Sequence, residues 1–171
     1  IYIVGFRENI DFSFPKPLNI KPKVGSILEN DVLEKYTISD KLWEGHKRRK
    51  IEHKKKGNGF GYSIFNEEST YTSTISARYY KDGSEILIAQ VNANPRKITP
   101  REAARLQGFP DSFTFEHQTE AKSFKQLGNG VNIGVVWWVM KSLASRDRDL
   151  LEQTEAGRQL LSQINNAPAS P

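Results

Sequence analysis

Apolar and polar positions fall in blocks along this chain, and each block predicts an element. Ile1 to Phe6 (I-Y-I-V-G-F) is an unbroken apolar run closed by Arg7. It lacks the period of two of a half-exposed strand and reads as a buried one. Phe12 to Pro22 carries three prolines in eleven residues, which predicts a connection and a domain boundary. Val24 to Leu33 reads as a short helix or turn, and Leu33 to Ile38 as a short strand. Asp40 to Gly57 is helical through Lys50 or beyond, with Ser39 as N-cap and Gly57 ending the run. Tyr71 to Tyr80 is rich in Thr, Tyr and Ile, as strands are. Asp82-Gly83 is a hairpin signal, and Glu85 to Val91 reads as the returning strand.

The clearest helix follows. Thr99 suits the N-cap, Pro100 the first helical position, and Glu102 completes a capping box three residues on. Ala103, Ala104 and Leu106 supply an apolar side, and Gly108 with Pro110 stops the helix. Ser112 to Ser123 reads as a connection with Phe113 and Phe115 packed inward. After a loop and a tight Gly128-Asn129-Gly130 turn, a helix is predicted over Val131–Leu143. Val131, Val135, Val139 and Leu143 form its i, i+4 stripe, which Ile133, Val136, Met140 and two tryptophans widen. That pattern predicts burial on several sides. A last amphipathic helix is expected over Asp147–Ile164, with a disordered tail after it. No internal repeat is visible.

Composition narrows the classes. A length of 171 residues suits one domain or slightly more, and no apolar run approaches the roughly 20 residues of a membrane span. No signal peptide is evident, and the chain opens on Ile1 without an initiator Met, which suggests a fragment or a processed product. There is no cysteine, so disulfides, thiolate metal sites and thiol nucleophiles are excluded. The net charge is +5, yet His46 to Lys56 alone holds seven Lys/Arg and one Glu, so the rest of the chain sums to −1. A basic block of this kind is either a solvated stretch or a polyanion-binding patch. The next stretch, Gly57 to Phe65, interleaves three glycines with Phe60 and Tyr62, as a flexible hairpin or a nucleic-acid-contacting loop would. Its spacing is not that of the nucleotide fingerprint G-x-G-x-x-G.

Three segments also carry a family resemblance. T-P-R-E-A-A-R-L-Q-G-F-P-D-S-F, Thr99 to Phe113, resembles motif IX of the cytosine-5 DNA methyltransferases. In that family the helix braces the target-recognition domain, which makes Arg101, Glu102 and Arg105 structural candidates. The opening run resembles the end of motif VIII, a strand of the catalytic domain; the family's base-contacting arginines would precede Ile1. F-K-Q-L-G-N-G-V-N-I, Phe124 to Ile133, resembles motif X, which forms part of the S-adenosyl-L-methionine pocket. Asn129, Gly130 and Val131 are the matching positions, and Gly130 departs from the family's usual Ser or Ala. Thr74-Ile75 matches a Thr–aliphatic pair that holds the phosphate of the target nucleotide. Ser76, Arg78 and Tyr79 are the adjoining candidates for base or phosphate contact, and Lys47, Arg48, Arg49, Lys54, Lys55, Lys56 and Asn58 are the DNA-binding candidates of the basic stretch.

The resemblance implies an α+β chain: a β-rich target-recognition domain flanked by terminal segments of an α/β S-adenosyl-L-methionine-dependent methyltransferase fold. The expected divisions are 1–22, 23–113, 114–145 and 146–171. It further implies a restriction–modification methyltransferase of the bacterial cytoplasm, acting on double-stranded DNA. Methylating carbon 5 of cytosine requires a nucleophile at carbon 6, which the family supplies as a Pro-Cys thiolate. This chain has none, nor the family's Glu-Asn-Val motif or its Gly-rich cofactor loop. It therefore reads as a fragment or subunit that selects the target and completes the cofactor pocket, inactive without an N-terminal catalytic half. The competing readings are a stand-alone DNA-binding module and an RNA-binding protein stacking bases on Phe60, Tyr62, Tyr79 and Tyr80. Exposed apolar ends also predict self-association of the isolated chain.

Overall fold

The computed structural model describes residues 3–7, 12–14, 16, 21–58 and 61–166. The chain forms two compact units, Ile20–Ile133 and a second made of Ile1–Asn19 with Gly134–Pro171. The larger unit begins with a 3-10 turn at Val24–Ile27 and a second at Glu34–Tyr36, where a strand was expected. Only Thr37 bridges to Arg96 there. Helix α1 (Asp40–Lys55) follows, with the Ser39 hydroxyl accepting from the Leu42 amide and Gly57 beyond its end at a φ of 71°.

A three-stranded sheet forms at the centre, order β1-β2-β3. Strand β2 (Leu87–Ile88) pairs in parallel with β1 (Ile64–Phe65) and antiparallel with β3 (Arg96–Lys97). The unit is mixed α+β, but the sheet is small. The predicted hairpin is the main correction. Tyr79–Asp82 is a helical turn, α2, and Gly83, with a φ of 63°, ends it in the left-handed region. Asp82-Gly83 is thus a helix stop, and the antiparallel pairing of β2 is with β3. The cause is Tyr79. Its ring is fully buried, its hydroxyl donates to the Ile86 carbonyl at 2.6 Å and accepts the Ile98 amide at 2.9 Å. That tie draws the residue into the core, where an extended hairpin arm would have held it at a surface.

Helix α3 (Pro100–Leu106) has the predicted capping box and proline start. Ala103 and Ala104 are fully buried, packed with Ile75, Ile86, Ile88, Ile98, Phe124 and Leu127. Glu102 is wholly buried and accepts four donors. Arg96 donates to both of its oxygens at 2.8 Å, and the amides of Glu29 and Thr99 donate at 2.9 Å. Every lone-pair direction of the carboxylate is met, which is what permits a charge in the core. Arg105 grips Asp111 through two 2.8 Å bonds and donates to the Ile27 carbonyl at 3.2 Å. Arg101 lies over the Phe115 ring at 5.7 Å. Phe113, expected inside, is 39% exposed and leans on Phe109 and Phe115 instead.

The predicted loop before Gly130 is helical. Helix α4 spans Glu120–Asn129, capped by Thr119, and takes in Gly128 and Asn129. Gly130 is its C-cap in ordinary extended conformation, φ −72° and ψ 158°. Helix α5 runs Ile133–Arg146, two residues later than predicted at its start. Val131, Ile133, Val135 and Met140 are exposed, so the expected burial on several sides does not hold.

In the second unit, the expected C-terminal helix is split into α6 (Arg148–Glu152) and α7 (Glu155–Asn166). The Thr154 hydroxyl accepts the Gly157 amide at 3.0 Å and starts α7. Leu161 and Ala144 form its small core, with Trp137, Leu151 and Leu160 packed on them. The predicted opening strand lies partly outside the described residues. Ile3 to Phe6 carry no strand, because a strand exists only as a ladder and no described segment pairs with them.

Candidate nucleic-acid interface

The basic stretch folds as the body of α1, and helical spacing sorts its charges. Arg49 and Lys50 line a cleft of about 590 Å³ together with His53, Tyr62, Thr74 and Glu85. Arg49 is fixed from two sides, donating to Asp82 Oδ2 at 3.0 Å and to His46 Nδ1 at 2.8 Å. Because Nδ1 accepts, the His46 proton sits on Nε2 and points to the Asp82 carbonyl at 3.3 Å. Burial lowers the His46 pKa from its ordinary value, and the Arg49 cation adds to the effect against the pull of Asp82. Burial works to raise the Asp82 carboxyl, but hydrogen bonds from Arg49 and Ser84 outweigh it and hold the group below the usual value. A neutral His46 therefore acts as a wedge that orients a charged Arg49.

Lys50 sits 4.2 Å from the Tyr62 ring centroid and donates to the Tyr62 carbonyl at 3.3 Å. Tyr62 also meets Trp43 edge-on at 4.7 Å, so the ring is held from both sides. Lys47 lies over Trp43 and pairs with Glu44, while Arg48 approaches Glu52 at 3.9 Å. Lys54, Lys55 and Lys56 are exposed at the C-terminal end of α1, where the helix dipole favours cations. Asn58 follows, also exposed, its amide donating to the His53 carbonyl at 2.9 Å. Phe60 is outside the described residues.

Across the cleft the Thr74 stretch divides sharply. Thr74 is exposed and lines the cleft. Ile75 is buried at 4% exposure in the core. Ser76 donates to Glu85 Oε1 at 2.5 Å and accepts the Arg78 amide at 3.2 Å. Arg78 is exposed, but Tyr79 has no surface to offer and both bonds of its hydroxyl are committed inside. Tyr79 is a core residue and, contrary to the sequence expectation, presents nothing to a base or phosphate. The structure thus brings Arg49, Lys50 and Thr74 together and leaves Lys47, Arg48 and Lys54–Lys56 on other parts of α1.

The sequence does not single out Lys50 among its basic neighbours, nor His46, Asp82, Ser84 and Glu85. Each depends on a tertiary meeting of α1 with Tyr62 or with the stretch 82–85, and no local pattern announces that.

The second candidate site is the turn after α4. Asn129, Gly130 and Val131 are all exposed. The turn is held to α3 by three bonds: Gln107 Nε2 to the Leu127 carbonyl at 2.7 Å, the Ile133 amide to the Gln107 carbonyl at 2.9 Å, and Asn132 Nδ2 to the Leu106 carbonyl at 3.2 Å. An exposed amide side chain beside an exposed Val fits a ligand with polar and apolar parts. On the other side, a Cβ at Gly128 would fall well inside contact distance of the Ser76 and Ala77 backbone. The helix end that leads into this turn therefore lies directly on the Thr74 stretch.

The comparisons with known proteins agree with one another. The family model described as C-5 cytosine-specific DNA methylase matches residues 1–145. The chain is 55% identical to the Type II methyltransferase M1.ScrFI of Lactococcus lactis subsp. cremoris, over 91% of this chain and 40% of that protein. It is 60% identical to M.NlaX of Neisseria lactamica, over 80% of this chain and 44% of that one. It thus spans about two fifths of the length of the curated relatives it matches. Among solved structures it resembles the S. pombe Dnmt2 methyltransferase, with a TM-score of 0.60, 19% identity, and 72% and 42% of the two chains covered. A methyltransferase of Entamoeba histolytica, EhMeth, aligns with a TM-score of 0.58 at 22% identity, covering 86% of this chain and 46% of that one. At these identities the likeness is one of fold.

Proposed function

Because this chain belongs to the C-5 cytosine-specific DNA methylase family, we propose that it is the part of such an enzyme that selects the target on duplex DNA and closes one side of the cofactor pocket. The observation that carries this is the cleft, a space of about 590 Å³ lined by Arg49, Lys50 and Thr74 together. Phosphates bind where cations and hydroxyls converge, and base edges are read by the side chains between them. Here the cations come from one helix and the hydroxyls from an irregular stretch, so a backbone laid along the cleft touches both.

The cofactor wall is the turn after α4. S-adenosyl-L-methionine supplies the methyl group when bound. Asn129 and the Gly130 backbone would offer it polar contacts and Val131 an apolar one. With no side chain, Gly130 would meet it through backbone alone.

The transfer step needs a thiolate, and this chain holds none. The reaction is therefore completed by an N-terminal catalytic half carrying the Pro-Cys nucleophile. Ile133, Val135 and Met140, exposed along α5, supply apolar surface for that half to cover. No described helix is long and apolar enough to cross a membrane, and the setting we propose is the bacterial cytoplasm, as for a restriction–modification enzyme. Burial of Tyr79 removes one stacking surface and weighs against the RNA-binding alternative.

The test is complementation. The purified chain alone transfers no labelled methyl group from S-adenosyl-L-methionine to duplex DNA. Mixed with the catalytic half of a close relative, it restores transfer at cytosine. Activity of the chain by itself, or no recovery with any such half, sinks the reading.

A further inference from the structure

Glu85 is an anomaly in a cleft whose other charges favour phosphate. Its Oε1 accepts the Ser76 hydroxyl at 2.5 Å, and Ser76 is in turn held by the Arg78 amide. Its Oε2 is buried and has no hydrogen-bond partner among the described residues. The cations nearby do not neutralise it: Arg49 is held by Asp82 and His46, and Lys50 by the ring and carbonyl of Tyr62. A buried acceptor without a donor is costly, and such exceptions call for a role.

The chemistry of duplex DNA limits what completes it. Phosphate is an anion and is repelled. The sugars of DNA carry no hydroxyl within a strand, which leaves the base amines as donors. In the major groove these are N4 of cytosine and N6 of adenine, and a carboxylate is the acceptor suited to cytosine N4. We propose that Glu85 is a specificity-determining residue of the cleft, accepting a hydrogen bond from the exocyclic amine of a cytosine in the recognised sequence. Ser76 is its positioning residue, since it fixes the carboxylate by one oxygen and leaves the other for DNA. This rests on the reading of the cleft as the DNA-selecting site. It adds a property that phosphate contacts lack: a carboxylate beside phosphates weakens binding to every sequence except one that supplies the amine.

The experiment uses the purified chain and a randomised duplex library. The wild-type chain enriches a sequence with cytosine at a defined position. Glu85→Gln keeps shape and hydrogen bonding to Ser76 but exchanges the acceptor pair for an amide. It is expected to lose the cytosine preference by about tenfold, to bind bulk duplex as well as or better than wild type, and to melt no lower than wild type. A duplex with 2-pyrimidinone at that position, which lacks the amine, should weaken wild type and leave Glu85→Gln unaffected. Ser76→Ala should lower the preference by less than Glu85→Gln does. An unchanged enriched sequence in Glu85→Gln overturns the assignment while the DNA-selecting reading stands. Failure of the wild-type chain to bind duplex overturns both. Should Glu85→Gln fail to fold, the wild-type chain's response to 2-pyrimidinone decides alone.

Discussion

At the scale of single residues, the two partners of the buried ion pair are unequal. Glu102 serves Arg96 and the amides of Glu29 and Thr99 together, so its loss leaves the buried Arg96 with only the Lys97 carbonyl and strips one buried and one part-buried amide of their acceptor. Arg96→Met leaves only the anion, which still holds both amides. Breaking a buried pair costs about 3–5 kcal/mol, and Glu102→Ala belongs at or above the top of that range with Arg96→Met below it. Urea unfolding of both variants checks the order, and equal losses would contradict it. His46 makes a second prediction, in pH. Its folded pKa is lowered, first by burial, so below the ordinary value of 6.5 the unfolded chain binds the proton more readily than the folded one. Stability rises with pH wherever the unfolded state binds more protons. The contribution is therefore intact above pH 6.5 and is lost as acidity increases toward the lowered folded value. Denaturation midpoints from about pH 5 to 8 should show this slope in wild type and a flatter one in His46→Gln. Identical profiles would remove His46 from the account.

At the scale of elements, local signals were legible and tertiary ones were not. The capping box of α3 and the Ser39 cap of α1 are written within four residues each, and both are present in the structure. The stretch from Tyr71 to Tyr80 departs from the strand its composition predicts because Thr, Tyr and Ile favour strands only where a pleated surface awaits them. Here Ile75 and Tyr79 are claimed by the core beside Phe124, and the chain turns helical at Tyr79. The candidate site divides the same way. Thr74 and Arg49 follow from resemblance and pattern, whereas Lys50, Glu85 and Asp82 stand out only once α1 meets its neighbours. Gly128 shows how a contact between elements reverses a local rule. Glycine inside a helix costs roughly 0.5–1 kcal/mol relative to alanine, and Gly45, with nothing within 4 Å of an added Cβ, should follow it. At Gly128 the same methyl meets the Ser76 and Ala77 backbone, which no side-chain rotation relieves. Overpacking of this kind costs about 1–3 kcal/mol. Thermal melting should therefore show Gly45→Ala stabilised and Gly128→Ala destabilised; a stabilised Gly128→Ala would mean that α4 does not rest on the Thr74 stretch.

At the scale of the whole molecule, charge placement decides where the proposed contact with DNA is strongest. The net +5 is smaller than the +6 carried by His46 to Lys56, so attraction to a polyanion comes from one helix. Within that helix the charges differ in kind. Arg49 and Lys50 are ordered in the cleft by named partners, while Lys54, Lys55 and Lys56 project at its exposed end. Ordered cations fix register; projecting ones contribute through released counterions, which carry no sequence information. Each phosphate neutralised adds about 0.9 to the slope of log affinity against log salt for B-form DNA. Replacing Lys54, Lys55 and Lys56 by Gln should then reduce that slope by roughly 2–3, weaken all duplexes alike, and leave the preferred sequence unchanged. Replacing Thr74 by Val should do the reverse at the cleft, removing one hydroxyl contact while the salt slope stays as it was. Anisotropy titrations at several salt concentrations separate the two outcomes. A triple variant with an unaltered slope would move the DNA path away from the end of α1, leaving only the cleft with Arg49, Lys50 and Thr74 to guide the backbone.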